Sequence, residues 1–498
     1  MIFGVSPLIP SAAQENRSSR EWLPARADKL PRWRGFNLLE KFTLGSGRKP
    51  FREDDFRLIS QLGFNFVRLP MDYRLWIIDG DWGRFDEATL REIDQAVEWG
   101  KQYGIHVMLN FHRAPGYTVA KPPEPTDLWT NVETQRVCAR HWGTFAKRYR
   151  GIPNERLSFN LMNEPSRIDP KVYYEVAKKL VAAVRAEDPE RLIVADGYQW
   201  GQIPCLEMAE LRIAQATRGY APGAISHYMA TWAGGEKYAL PTWPRYEAPG
   251  VLYAPGKKEL TGPLVIEGPL PAGRIRLKIR DVCQTSKLVL AADGVILAEK
   301  LYRTGAGEGP WKQSVFKPEH KIYVCRYDEY LVVPLPAGAK QIQVSLPSGD
   351  WLEVSELGFL PAQPGRQYCT LALNTEWGHR PDTLHYVVDG QDGAFTTANV
   401  QDRRWLWNKM IEPWKAAETQ GIGVMVGEFG AFNKTPHDVT LRWMEDCLAN
   451  WRQADWGWAL WNFRGPFGVL DSGRTDVLYE DLEGHKLDRK MLDLLQLY

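Results

Sequence analysis

Residues 90–111 read LREIDQAVEWGKQYGIHVMLNF. Leu90, Ile93, Ala96, Val97, Gly100 and Tyr103 recur at the three- and four-residue spacing of one helix face. Gly104 stands where a helix that ends in left-handed backbone favours a residue without Cβ. The apolar run Ile105 to Phe111 follows at once, as a strand covered on both faces should. A helix handed directly to a buried strand is the repeating unit of a parallel α/β protein.

The unit recurs in both directions. Upstream, Trp33 to Leu38 is a first apolar run, and Phe56, Ile59 and Leu62 form a helical stripe that ends at Gly63 before the strand Phe64 to Pro70. Downstream, a helix around Arg136 to Tyr149 precedes the strand Leu157 to Met162. The stripe Val172, Val176, Leu180 and Val184 precedes Leu192 to Ala195, and Ala224 to Met229 reads as a sixth strand. From about residue 248 to 365 the pattern changes. Arg274 to Arg280 alternates charged and apolar residues, the mark of a half-buried antiparallel strand. Asp293-Gly294 sits between two β-rich runs as a type I′ hairpin turn, and Pro271-Ala272-Gly273 and Pro336-Ala337-Gly338 mark further turns. This stretch reads as a β-sandwich of about seven strands. Helix–strand alternation then resumes with Arg403 to Ala417, Gly423 to Gly427, Val439 to Trp451 and Trp458 to Phe463.

Eight strands of parallel type predict the α/β class and a (β/α)8 TIM barrel carrying an inserted antiparallel, jelly-roll-like β-sandwich. The expected division is 1–247 for the first part of the barrel with strands one to six, 248–365 for the insert, and 366–498 for the second part with strands seven and eight. No Gly-x-Gly-x-x-Gly turn follows the first strand, which argues against an open dinucleotide-binding sheet.

Composition narrows the function. The 498 residues suit a large core plus one module. Lys plus Arg is 62 and Asp plus Glu is 61, a net charge of +1, which excludes the general phosphate attraction of a nucleic-acid binder. No stretch approaches the roughly 18 consecutive apolar residues of a membrane span. The 21 tryptophans are well above an ordinary share, and flat rings suit the C–H face of a sugar. Six cysteines without Cys-x-x-Cys or Cys/His spacing read as free buried thiols rather than a zinc site, with Cys283 and Cys325 a candidate pair within the insert. Met1 to Pro10 is mildly apolar and followed by Ser11-Ala12-Ala13. It lacks a basic leader and holds Pro7 and Pro10, so no signal peptide is read, and the compartment stays open between secreted and cytoplasmic.

Barrel active sites lie at the carboxyl ends of the strands. Those ends hold Arg68, His112, Asn163 with Glu164, His227 with Tyr228, Glu428 and Trp461. Each alone has an ordinary structural reading, but their convergence in one barrel mouth does not. Two carboxylates from strands four and seven suit glycosidic bond cleavage, in which one attacks as an anion while the other donates a proton. Arg68 and Tyr228 are expected to hydrogen-bond Glu428, Asn163 to meet a sugar 2-OH, and Trp461 to floor the subsite. Trp76, Trp129, Trp200 and Trp232 are further candidate platforms, with packing as the alternative for each.

Five segments carry a resemblance. They are Phe159-Asn160-Leu161-Met162-Asn163-Glu164-Pro165, Val426-Gly427-Glu428-Phe429-Gly430, Asn110-Phe111-His112-Arg113-Ala114-Pro115-Gly116, Phe66-Val67-Arg68-Leu69-Pro70 and Trp458-Ala459-Leu460-Trp461-Asn462. Before about residue 245 and after about 395 the chain resembles glycoside hydrolase family 5, the cellulase-like branch of clan A. The resemblance implies a retaining mechanism with Glu164 as general acid/base and Glu428 as nucleophile. It also implies a minus-one subsite lined by Arg68, His112, Asn163, His227, Tyr228 and Trp461, and no metal or organic cofactor. The substrate it implies is a β-linked oligo- or polysaccharide. An endo-β-1,4-glucanase is the foremost reading; an exo-acting β-glucosidase or exo-glucanase, a β-mannanase and a non-catalytic glycan-binding protein are the alternatives. Asp471 to Leu494 resembles the family's C-terminal tail, expected to cap the barrel. The insert resembles a carbohydrate-binding module, although such modules more often sit at a chain end, and a structural or oligomerising sandwich is an equal alternative. Oligomeric state is not legible.

Overall fold

The computed structural model describes residues 22–45, 48–388 and 393–498. The N-terminal stretch read for a leader, Met1 to Ala13, lies outside them. Two compact units emerge, Met1–Tyr238 with Leu406–Tyr498, and Ala239–Trp405.

The first unit is a closed parallel barrel. Its strands are β1 (Arg34–Asn37), β2 (Phe66–Asp72), β3 (His106–Arg113), β4 (Leu157–Asn160), β5 (Ile193–Asp196), β6 (Ala214–Gly219), β7 (Val424–Phe429) and β8 (Trp458–Leu460). β8 pairs with β1, Arg34 opposite Trp458 and Phe36 opposite Leu460, which closes the ring and removes its edges. The helix predicted from residues 90–103 forms as Glu87–Tyr103. Asp86 caps it by accepting the Ala88 N–H, Gly104 ends it at φ +66°, and Leu90, Ile93, Ala96, Val97 and Gly100 are buried.

Alternation along the strands sorts the barrel interior into layers. Phe66, Met108, Val194, Ala216, Met425 and Ala459 belong to one apolar cluster. Two residues further along their strands stand Arg68, Asn110, Asp196 and Arg218, all buried. The layer above the apolar plug is therefore polar, and it faces the carboxyl ends.

The sixth strand corrects the sequence reading. Ala224 to Met229 is not a strand: Gly223–Ser226 is a single helical turn, and β6 lies ten residues earlier. Its sequence, Ala-Gln-Ala-Thr-Arg-Gly, lacks the large aliphatics that mark a strand because its inward residues are alanines. The residues at the end of strand six are thus Arg218 and Tyr220 rather than His227 and Tyr228.

The second unit is a sandwich of two sheets. One contains Val251–Tyr253, Gly273–Cys283, Gln313–Lys317, Ile322–Leu335, Trp351–Pro361 and Cys369–Ala372. The other contains Leu264–Leu270, Ser286–Ala292, Val295–Tyr302, Ala339–Ser348, Thr383–Val387 and Ala394–Thr396. Inward residues of both, among them Ile266, Leu277, Leu290, Val344 and Leu357, form a continuous core. The predicted hairpin forms, with Asp293 and Gly294 both at positive φ, 48° and 81°, as a type I′ turn needs. The unit extends past 248–365 at both ends. Three strands after residue 365 complete its sheets, and one of them, Thr383–Val387, runs parallel to Leu264–Leu270. Cys283 and Cys325 are not bonded, and all six cysteines are buried and outside any disulfide. Cys325 lies opposite Val282, so a one-residue offset turns the two thiols to opposite faces of the sheet.

Candidate active site

The polar layer is organised by two arginines. Arg68 is fully buried. Its Nη1 donates to Glu428 Oε1 (2.5 Å) and Asn37 Oδ1 (3.0 Å), its Nε to Asn160 Oδ1 (2.9 Å) and its Nη2 to Asn163 Oδ1 (3.0 Å). Arg218 enters from β6. Its Nε donates to Glu164 Oε1 (3.1 Å) and its Nη2 to Asn163 Oδ1 (2.9 Å) and to Asp196 Oδ2; the same nitrogen lies 3.3 Å from Glu428 Oε1. Burial acts to lower the Arg218 value, but Asp196, Glu428 and Glu164 together outweigh it and raise the guanidinium above its ordinary value. Burial acts the other way on Arg68 and lowers it, but a guanidinium stays charged in a protein, so both arginines are cations held by carboxylate and amide oxygens.

Glu164 sits just past β4 with φ +49°, a left-handed conformation that costs a non-glycine residue about 1–3 kcal/mol. Both its backbone groups are pinned. Its N–H donates to Asp196 Oδ2 (2.8 Å) and its carbonyl accepts from Tyr117 Oη (2.7 Å). Asp196 is in turn held by Asn160 Nδ2 (3.0 Å). Desolvation first, and the negative charge of Glu428 second, push the Glu164 carboxyl well above the usual carboxylate range, against the pull of Arg218. Its side chain keeps 16% exposure, so the mouth of the barrel still reaches it.

Glu428 has 4% side-chain exposure and both oxygens occupied. Arg68 and Arg218 take Oε1, and Tyr220 Oη donates to Oε2 (3.3 Å). Asn163 is oriented by elimination: its Oδ1 accepts from both arginines, which leaves the buried Nδ2 without a partner and free to donate. His112 also holds a buried, unpartnered Nδ1. Burial, with Arg68, Arg218 and Arg113 nearby, drives its pKa well below the ordinary value, so it is a neutral imidazole. Its ring lies 4.6 Å from Phe42 and 5.5 Å from Trp461, and Phe42 also meets Trp461 at 5.4 Å.

The structure therefore brings Arg68, Asn163, Glu164 and Glu428 into one bonded network, and His112 and Trp461 lie in tilted ring contact with each other. His227 and Tyr228 lie outside it. His227 packs its ring 5.0 Å from Tyr220 and hydrogen-bonds Ser226, and among the described residues no hydrogen bond joins Tyr228 to Glu428. The donor expected from Tyr228 is Tyr220. Sequence reading missed Asp196, Arg218 and Tyr220. Alternation counted from Ala214 and Ala216 points to Arg218 once β6 is placed.

Of the candidate platforms, Trp76 is core, with Phe111 at 5.0 Å and Nε1 on His141, and Trp129 is wedged between Tyr117 and Tyr173. Trp200 lies beside the Glu164 loop, its N–H on the Pro165 carbonyl (3.0 Å) and Arg167 over its ring. Trp232 is 63% exposed and stands edge-on to Phe432, which contacts Phe467. Among the described residues no group of three or more His, Cys, Asp or Glu side chains is placed to hold a metal ion, and no helix is long and apolar enough to cross a membrane.

The site is thus a closed parallel barrel with an arginine-bound carboxylate on β7 and a second carboxyl, pushed toward its protonated form, just past β4. Residues 27–230 match the cellulase family, glycosyl hydrolase family 5. Endoglucanase C of Acetivibrio thermocellus is 30% identical over 185 residues, 36% of this chain and 53% of the relative. The chain spans about half the length of these curated relatives. A solved glycoside hydrolase, 25% identical with a TM-score of 0.60, aligns over 94% of this chain and 99% of its own. Endoglucanase Cel5A from Thermotoga maritima, 15% identical with a TM-score of 0.52 over 93% of this chain and 96% of its own, shares the fold.

Proposed function

We propose that this protein is a retaining β-glycoside hydrolase acting by double displacement, and that its substrate is a β-1,4-linked glucan cut within the chain. The observation that carries the reading is the unequal treatment of two neighbouring carboxyls. Glu428 has two guanidiniums and a phenol on its oxygens, which suits an anion held for attack at the anomeric carbon. Glu164 is biased toward the protonated form, which suits donation to the leaving oxygen. Pairs of carboxyls whose surroundings drive them apart are how such sites divide acid from nucleophile. Asn163 Nδ2 is a donor free for a sugar hydroxyl, His112 Nδ1 is free to donate or accept according to its tautomer, and Trp461 offers the ring surface of the subsite.

The endo reading is supported by the name of the relative Endoglucanase C. Trp200 beside Glu164 and the exposed Trp232 on the Tyr220 and His227 side also support it, because rings on both flanks suit a chain that extends past the cut in both directions. The test is a product profile on cellohexaose, carboxymethyl-cellulose, barley β-glucan, laminarin and mannan. Mid-chain cuts of the β-1,4-glucans with a rapid fall in viscosity are expected. Release of a single mono- or disaccharide from the start would establish exo action, and cutting of mannan or laminarin alone would reassign the linkage or sugar.

A further inference from the structure

Charge moves through this site during the reaction proposed above. In the first step a Glu428 oxygen bonds to the anomeric carbon as the glycosidic C–O bond breaks. The electron pair leaves with the aglycone oxygen, which takes the proton from Glu164. Glu428 has then become a neutral ester and Glu164 an anion. In the second step a water oxygen attacks the same carbon and passes a proton to Glu164, while the ester pair returns to Glu428. One negative charge thus travels from Glu428 to Glu164 and back in each turnover.

Arg218 touches both ends of that path, with Nε 3.1 Å from Glu164 Oε1 and Nη2 3.3 Å from Glu428 Oε1. Arg68 is committed to Glu428 and to the amides of Asn37, Asn160 and Asn163. We infer that Arg218 is the counter-ion of the migrating charge: it stabilises the Glu164 anion while the glycosyl group is on Glu428, and so makes Glu164 a base for the second step. The inference rests on the assignment of Glu164 and Glu428 made above.

The surroundings fit the count. Facing Glu164 are Asp196 from β5, Arg218 from β6, Tyr220 just past it and Glu428 from β7, with Tyr117 on its backbone carbonyl; Arg68 from β2 reaches Glu428 and Asp196, and the neutral His112 lies near both arginines. Two guanidiniums balance two carboxylates when Glu164 is protonated. They again balance two when Glu428 is an ester and Glu164 is ionised. Asp196 takes no part in the transfer but fixes Arg218 Nη2, which keeps the fork aimed between its two partners.

The test uses 2,4-dinitrophenyl β-cellobioside, whose leaving group needs no proton, so that opening of the glycosyl-enzyme limits kcat. In Arg218→Gln the acidic limb of kcat against pH should rise by about 1 to 3 pH units, as expected when a cation is removed from beside a carboxylate. Azide, which attacks without a base, should restore kcat and give a β-glycosyl azide. Arg218→Lys keeps a charge that reaches one carboxyl at a time, so its acidic limb should fall between the wild type and the Gln variant. It decides the matter alone if the Gln variant does not fold. An unmoved acidic limb in both folded variants, or kcat loss that azide does not rescue, overturns the counter-ion role while leaving the hydrolase assignment intact. Absence of any turnover of this glycoside by the wild type would overturn the assignment itself.

Discussion

Tyr220 Oη donates to Glu428 Oε2, the oxygen opposite the one held by Arg68, at 3.3 Å. A hydrogen bond to a charged group contributes about 1.5–3 kcal/mol, so Tyr220→Phe should lower kcat/KM by about 12- to 160-fold. Tyr228→Phe should leave kcat/KM within about twofold, as for surface substitutions away from such contacts. Steady-state kinetics of the pair checks which tyrosine serves the nucleophile.

Glu428→Ala should abolish turnover, and azide should restore it with formation of an α-glycosyl azide, detected by NMR. Glu164→Ala should lose about 10²- to 10⁴-fold on substrates with poor leaving groups, the contribution of a general acid, and much less of the first step on a dinitrophenyl glycoside. Unimpaired hydrolysis by either variant would remove that residue from its role.

Glu164 also carries a cost in stability that depends on pH. Its folded-state pKa lies above its unfolded one, so its contribution is fully present below about pH 4.3 and is lost as pH rises through the raised folded value. Glu164→Gln has no charge to desolvate. Its melting temperature should match the wild type near pH 4 and exceed it increasingly toward pH 8, as read by calorimetry at several pH values.

Part of this site is legible in the sequence. Arg68, Asn163, Glu164 and Glu428, which the structure joins in one hydrogen-bonded network, stand at or just past the ends of apolar runs of ordinary strand composition, where pattern makes them visible. Arg218, Tyr220 and Asp196 were not found, for two physical reasons. β6 fills the interior with alanines, which carry no β signal, and the nearby Ala224 to Met229 looks more apolar than the true strand. Asp196 follows Ala195 as the last residue of β5, and its acidic side chain reads as the start of a loop unless its cationic partners are known. The sandwich was visible through its alternation and its Asp-Gly turn. Its last strands were not, since they lie among glycines and prolines that resemble a linker.

Trp232→Ala should raise KM for cellohexaose by about 2- to 12-fold, the range that follows from an aromatic contact worth about 0.5–1.5 kcal/mol. It should leave KM for a short aryl glycoside unchanged. Equal effects on both, or none on either, would show that this indole does not hold an extended chain.

Gly35 lies where β1 meets β2, and a Cβ there would fall 1.7 Å from the Phe66 carbonyl oxygen, a backbone atom with no room to yield. Gly35→Ala should destabilise the barrel by at least about 1–3 kcal/mol, the usual cost of overpacking, and chemical denaturation would measure it.

The placement of the second unit between β6 and β7 has a consequence for the nascent chain. At about 5–20 residues per second, a ribosome takes roughly 10–40 s to travel from the end of β6 to the start of β7. During that interval Arg68, Arg218, Asp196 and Glu164 have already been synthesised but Glu428 has not, and β6 lacks the neighbour that closes the ring. A partly made polypeptide therefore holds Glu164 without Glu428, and the carboxyl pair is complete only when the last two barrel strands leave the exit tunnel.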